Sequence, residues 1–278
     1  MIRRFAFLFL FLGCLALAFE QANPLLLYPF DATEEAPSPT HLPKAEVHEL
    51  EGPDGRIVAW LAPPKPGKPM VMYFHGNAGN LADRIGRFQR FQRAGFGVFA
   101  FGYPGSSGSE GRASERAIVA SAQIAYDWLL ARPETGQSSH ILFYGESLGS
   151  AVAIALLADL KAQAGRPTPN SIVLEAPFTS VKDVAEHTAG ALGQAASMFL
   201  DDWPSWQRAA RALDIPTIVL HGHRDEVIPV SHGRAIYEVA PSSKKDFLVA
   251  RQANHVNYWS KGDITRVLGH MALKDLGL

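Results

Sequence analysis

Gly145-Glu146-Ser147-Leu148-Gly149 lies between an apolar run at 141–144 and a run of small and apolar residues at 148–157. A serine hydroxyl alone is a poor nucleophile. It needs a base within reach of its proton, a carboxylate to orient that base, and donors for the negative oxygen that develops on the attacked carbonyl. At a strand-to-helix elbow the serine sits on a strained turn. The residues two positions before and after it must then be small, because a Cβ there meets neighbouring backbone. The helix that follows turns its free N–H groups toward the reacting carbonyl. A pentapeptide with three fixed positions also arises by chance, and the competing reading is a tight turn that happens to hold a serine. The strand-like "ILFY" before it and the helical "LGSAVAIALL" after it are the context the chemistry requires.

The partners of such a serine follow it in the order acid, then histidine. "TIVLHGHRDEVIPV" ends a predicted strand and presents Asp225 in the next loop, and "FLVARQANHVNYW" does the same for His255. Taken singly, Asp225 reads as a turn cap and His255 as a surface loop residue. As three residues in order, each just after its own strand, Ser147, Asp225 and His255 form the candidate catalytic set. Glu226 and Glu175 are rival acids. His75, His221 and His223 are rival bases in the wrong order, and His75 and His221 read better as loop organisers. For the oxyanion, the candidate donors are the backbone N–H of Leu148 and that of Asn77 in "YFHGNAGN". "YPGSSGSEG" (103–111) is expected to form a flexible wall of the same pocket, and it lacks the lysine of a phosphate-binding loop.

Loops at the carboxyl ends of parallel strands converge on one sheet edge, so the elements must supply such a sheet. Strand-like runs occur at 46–50, 57–61, 70–74, 98–101, 141–144, 171–174, 217–220 and 246–249. The first two flank the turn "EGPDG" and predict an antiparallel hairpin. Later runs are short, apolar on both faces and interleaved with helical patterns at 81–94, 113–131, 148–164, 231–239 and 264–276. The fold class is therefore α/β: a mostly parallel central sheet of about eight strands with helices on both sides. Residues 178–212 interrupt the alternation and read as a short helical cap or a plain connecting helix pair.

The chain has 278 residues, 47% hydrophobic and 19% charged, with a formal net charge of −1. Without a basic block, nucleic acid is not an expected partner. The single cysteine, Cys14, excludes an internal disulfide framework. His221 and His223 have no evident third ligand, so neither a metal nor any other cofactor is expected. Arg3 and Arg4 precede an unbroken apolar run from 5 to 19, shorter than the roughly 20 residues of a membrane-spanning helix. Three readings stand: a cleaved export signal ending near Ala16-Leu17-Ala18, a retained membrane anchor, or a lipoprotein signal on Cys14. Each places the folded part outside the cytoplasm. Residues 1–22 are thus expected as signal peptide or anchor, 23–44 as a linker or lead-in, and 45–278 as the catalytic domain with its cap at about 178–212.

The blocks "YFHGNAGN", "YPGSSGSEG", "GESLGSAVA", "EAPFTSV", "HGHRDEVIPVSHGRAIYE" and "NHVNYW" span residues 71–259. In that order they resemble the α/β-hydrolases, and more narrowly the BEM46 group with its ABHD13- and ABHD17-like serine hydrolases. The resemblance implies a Ser147–Asp225–His255 triad acting on acyl esters or thioesters, in a group with many membrane-bound members. Phe101-Gly102 and the residues around His255 depart from the usual pattern, which bears on the pocket lining more than on the catalytic residues. The expected substrate is a small-molecule or lipid-like acyl ester. The apolar residues Phe178, Met198, Phe199, Trp203 and Trp206 are candidates either for an acyl pocket or for the cap's own core. A same-fold serine peptidase and a non-catalytic binding or scaffold protein are the alternatives.

Overall fold

The apolar runs assemble into one eight-stranded sheet in a computed structural model that describes residues 27–132, 141–262 and 264–275. The expected signal or anchor at 1–22 lies outside the described residues. The strands are β1 (Glu46–Gly52), β2 (Gly55–Ala62), β3 (Met70–Phe74), β4 (Gly97–Phe101), β5 (Ile141–Glu146), β6 (Ser171–Glu175), β7 (Thr217–Gly222) and β8 (Lys245–Ala250). Their order is β1-β2-β4-β3-β5-β6-β7-β8. β1 pairs antiparallel with β2, as does β2 with β4, and every later pair is parallel. The expected hairpin closes with Gly52 opposite Gly55, whose φ of +122° suits glycine alone.

Helices link the parallel strands and cover both faces. They are α1 (Ile85–Arg93), α2 (Glu115–Leu130), α3 (Leu148–Ala162), α4 (Val181–Ser197), α5 (Ser205–Ala212), α6 (Val230–Val239), α7 (Tyr258–Lys261) and α8 (Ile264–Asp275). Alternate strand residues feed two cores, as a period of two requires. Phe74, Phe99, Phe143 and Leu174 pack with α2, α3, α5 and α6 on one face. Val71, Tyr73, Tyr144 and Val173 pack with α1, α7 and α8 on the other. α3 lies in the middle, buried almost all round, which is why its sequence has no polar stripe.

Boundaries differ from expectation in two places. The first expected helix opens as a 3-10 turn, Ala82–Arg84, before α1, because Asn80 and Asp83 side chains bond the early N–H groups instead of a regular turn. α7 was not expected, since four residues are too few to display a helical period. The lead-in is firmly fastened. Phe30 bridges Gly79, the amides of Ser107 and Gly108 donate to the carbonyls of Asp31 and Ala32, and Tyr28 is buried. The Tyr28 hydroxyl donates to Asp201 at 2.7 Å and accepts the Trp203 indole N–H at 2.9 Å.

Between β6 and β7, α4 bends at Ala189 and Gly190, and α5 packs on α3. The apolar candidates divide here. Trp203 and Phe178 belong to the main core, whereas Met198, Phe199 and Trp206 are exposed. Trp203→Ala should lower the unfolding free energy by about 3–5 kcal/mol, through the cavity left by a fully buried ring. Tyr28→Phe should cost less, about 1–3 kcal/mol for the stranded indole donor, in the same urea titration.

Candidate active site

Ser147 leaves β5 with φ +53° and ψ −115°, a strained conformation for any residue with a side chain. A Cβ on Gly145 would lie 2.5 Å from the Gly149 carbonyl oxygen, and one on Gly149 would lie 2.0 Å from that of Phe74. Only glycine permits backbones to cross this closely. The elbow is then tied down from β6, where the Glu175 carbonyl accepts the Ser147 N–H at 2.8 Å and the Ser150 hydroxyl at 3.0 Å.

β5, β7 and β8 end on the same sheet edge and deliver Ser147, Asp225 and His255 to one place. The Ser147 Oγ lies 3.1 Å from His255 Nε2, and His255 Nδ1 lies 2.8 Å from Asp225 Oδ2. With Nδ1–H donating to the carboxylate, Nε2 is left to accept the serine proton. Asp225 caps its turn and faces the imidazole at once. Its Oδ1 accepts the amides of Val227 and Ile228 at 3.0 and 2.8 Å, while its Oδ2 faces the imidazole. Burial opposes the Asp225 charge, but the hydrogen bond and charge of His255 and the Ile228 amide outweigh it, holding the carboxyl below its ordinary range. The two loops meet because Gly222 has no side chain: a Cβ there would lie 2.6 Å from the Ala253 carbonyl oxygen.

The rivals have other partners. Glu226 and His223 are exposed. His75 is fully buried, stacked on Tyr103, with Nδ1 2.8 Å from the Gly76 carbonyl, and burial lowers its pKa to about 3. His221 is also fully buried and donates to the Ile228 carbonyl, and burial lowers its pKa too. Both organise loops in the neutral form. Leu148 opens α3, in the turn whose N–H groups have no acceptor within the helix. Asn77 is exposed just beyond β3, whose Phe74 pairs with Gly145, so the two loops leave the sheet side by side.

"YPGSSGSEG" is rigid, contrary to expectation. Ser106, Ser107 and Ser109 are buried; the Ser109 hydroxyl donates to the Gly102 carbonyl and accepts the Val58 N–H, and Ser107 accepts the Leu81 N–H. Among the described residues, the non-glycine residues with positive φ are Ser107, Ser147, Ala176 and Trp203. Ser147 and Ala176 follow β5 and β6 directly, Ser107 lies in the loop after β4, and Trp203 is buried in the core against Tyr28.

A buried ionic cluster beneath the elbow was not legible in the sequence. Glu146 accepts the Tyr73 hydroxyl at 2.6 Å and Arg84 Nε at 3.3 Å. Arg87 lies 3.6 Å from Glu146 and is paired more closely with Glu175. Glu175 also accepts the Tyr144 hydroxyl at 2.6 Å and the Trp259 indole at 2.9 Å. Arg87 therefore joins the residue before Ser147 to the acid that anchors the histidine loop through Trp259. Burial pushes the Glu146 pKa up, but the charges of Arg87 and Arg84 and the Tyr73 hydrogen bond outweigh it and bring it down to about 2. The available signal was Arg84 and Arg87 three residues apart, which share a helix side.

This architecture and this constellation define an α/β-hydrolase. The chain belongs to the family described as "Chlamydia CHLPS protein (DUF818)", which matches residues 78–260. Its relatives bear out the BEM46- and ABHD-like resemblance. It is 30% identical over 240 residues to the uncharacterized protein Rv2307c of Mycobacterium tuberculosis, covering 85% of this chain and 82% of that one. It is 31% identical over 182 residues to protein bem46 of Schizosaccharomyces pombe, covering 65% and 59%. It is also 31% identical over 192 residues to the lysophosphatidylserine lipase ABHD12 of Danio rerio, covering 63% of this chain and 48% of that one. The fold matches the Pyrococcus furiosus esterase Pf2001 with a TM-score of 0.69 at 17% identity, over 87% of this chain and 97% of that one.

Arg87→Met should lower the unfolding free energy by about 3–5 kcal/mol, because it leaves Glu175 buried without its counter-charge. The Glu146 carboxyl is depressed from 4.5 to about 2 in the folded state, so its contribution is complete above about pH 4.5 and is lost as pH falls toward 2. The urea midpoint should fall across that window, and Glu146→Gln should flatten the fall.

Proposed function

We propose that the chain is a serine hydrolase that cleaves carboxylic esters, including acyl-chain esters and thioesters, through an acyl-enzyme. The observation that carries this reading is the continuous Asp225–His255–Ser147 hydrogen-bond relay on a strained elbow. Ser147 Oγ adds to the ester carbonyl as His255 Nε2 takes its proton. The backbone N–H groups of Leu148 and Asn77 hold the oxyanion, and His255 returns the proton to the leaving alcohol or thiol. Asp225 keeps Nδ1 protonated and supports the imidazolium. Water, activated by the same histidine, attacks the acyl-enzyme; the acid leaves and Ser147 Oγ recovers its proton.

A lipid-like acyl ester is the substrate class. The lipase among the relatives supports this; in the same reading the apolar segment at 5–19 associates the protein with a membrane and leaves residues 45–278 on its outer side. Residues 178–212 act as a cap over the site.

The purified chain should be labelled by a fluorophosphonate, and Ser147→Ala should not be. The same substitution should reduce turnover of p-nitrophenyl esters by about 10⁴-fold or more, and Asp225→Asn by about 10⁴-fold with the fold intact. A chain-length series from acetate to palmitate reads the acyl preference. A folded wild type that neither labels nor turns over esters would replace this reading with the non-catalytic one.

A further inference from the structure

The cap carries a surface that a soluble domain has no reason to keep. From Glu186 to Phe199 every residue is exposed except Gly193 and Ser197. From Thr188 to Leu200 there is no charged side chain. Among the described residues, the three most exposed large apolar side chains are Leu192 at 81%, Met198 at 77% and Val256 at 76%. Val256 follows His255 directly, and exposed Val227 stands two residues beyond Asp225, so the loops of the candidate site also present apolar side chains. Scattered exposed apolar residues are ordinary, but an uncharged, exposed run of this length marks a docking face.

What covers it follows from where the chain goes next. The first described residues are fastened to the base of this same segment: Tyr28 bonds Asp201, two residues past Phe199, and receives the Trp203 indole. Only residues 20–26 separate Leu27 from the apolar run at 5–19. Fully extended, the step from Phe19 to Leu27 spans at most about 28 Å. A membrane that holds residues 5–19 therefore lies within that distance of the cap base. We infer that the tip of the cap, residues 188–200, lies in the interface of the same phospholipid bilayer. The inference rests on the proposed membrane engagement of residues 5–19. Since residues 188–200 carry no charge, docking is by apolar burial and is indifferent to salt.

The test uses the full chain with Cys14→Ser, carrying Leu192→Cys, Met198→Cys or, as the control, Lys65→Cys. Lys65 is exposed before β3, at the opposite edge of the sheet. Each variant is labelled with an environment-sensitive fluorophore and mixed with phosphatidylcholine vesicles, with and without a nitroxide lipid. Flotation reports whether the chain is on the vesicles, and fluorescence reports which face touches them. Expected are co-flotation, several-fold brightening with nitroxide quenching at 192 and 198, no response at 65, and no change at high salt. If the protein floats while 192 and 198 stay as wet as 65, the anchoring stands and the docking is overturned. If the protein does not float, the membrane engagement fails and the docking with it. Brightening at 192 without vesicles would assign the face to a second copy of the chain and overturn the inference.

Discussion

The constraint on which the rest depends is the crossing of backbone at the elbow. Gly149 lies so close to the Phe74 carbonyl that no side chain fits between them. That contact requires β3 and β5 to be neighbours, and it seats the start of α3 against the sheet. It also leaves Ser147 in a conformation an unconstrained chain would abandon. The strain is held by bonds from β6, where one carbonyl, that of Glu175, accepts both Ser147 N–H and Ser150 hydroxyl. A parallel sheet suits this task because its strand ends are stacked in register and fixed on both sides by helices.

Beneath the elbow the protein spends polar groups where apolar ones would pack. Two glutamates and two arginines sit among Tyr73, Tyr144 and Trp259, with the two tyrosine rings stacked 5.4 Å apart. Buried ion pairs are weak sources of stability, since desolvation offsets most of their attraction. Their geometry is what distinguishes this cluster. It joins the strand that ends at Ser147 to the short helix that follows His255, through directional bonds that fix distance and angle together. Packing alone would hold the two loops near one another without fixing their relative rotation.

Much of this was legible in sequence because its physics is local. Eight apolar runs marked eight strands, and a glycine-serine-glycine pattern marked the elbow between a strand and a helix. Asp225 and His255 could be picked out as candidates because each follows a strand end, a position sequence can identify. What could not be read was long-range. Glu146 and Glu175 look like ordinary carboxylates until the fold brings Arg84 and Arg87 beside them, some sixty to ninety positions away. The serines of 103–111 looked mobile because serine and glycine favour loops. Their hydroxyls instead close bonds to strand β2, to Gly102 just past β4 and to the turn before α1, which no local pattern displays.

The four positive-φ residues, Ser107, Ser147, Ala176 and Trp203, have a consequence for how this protein can change. Glycine relieves such a conformation at little steric expense, while every other residue type bears it. Selection for heat resistance alone would therefore favour glycine at Ser147 and Ala176, with loss of the Ser147 hydroxyl itself, whereas Trp203 is kept by the core it fills and Ser107 by the amide its hydroxyl accepts. Durability and the geometry of the elbow draw on the same few backbone torsions here. A thermally hardened variant would have to gain its stability elsewhere, on the buried face of α3 or in the aromatic core around Phe143.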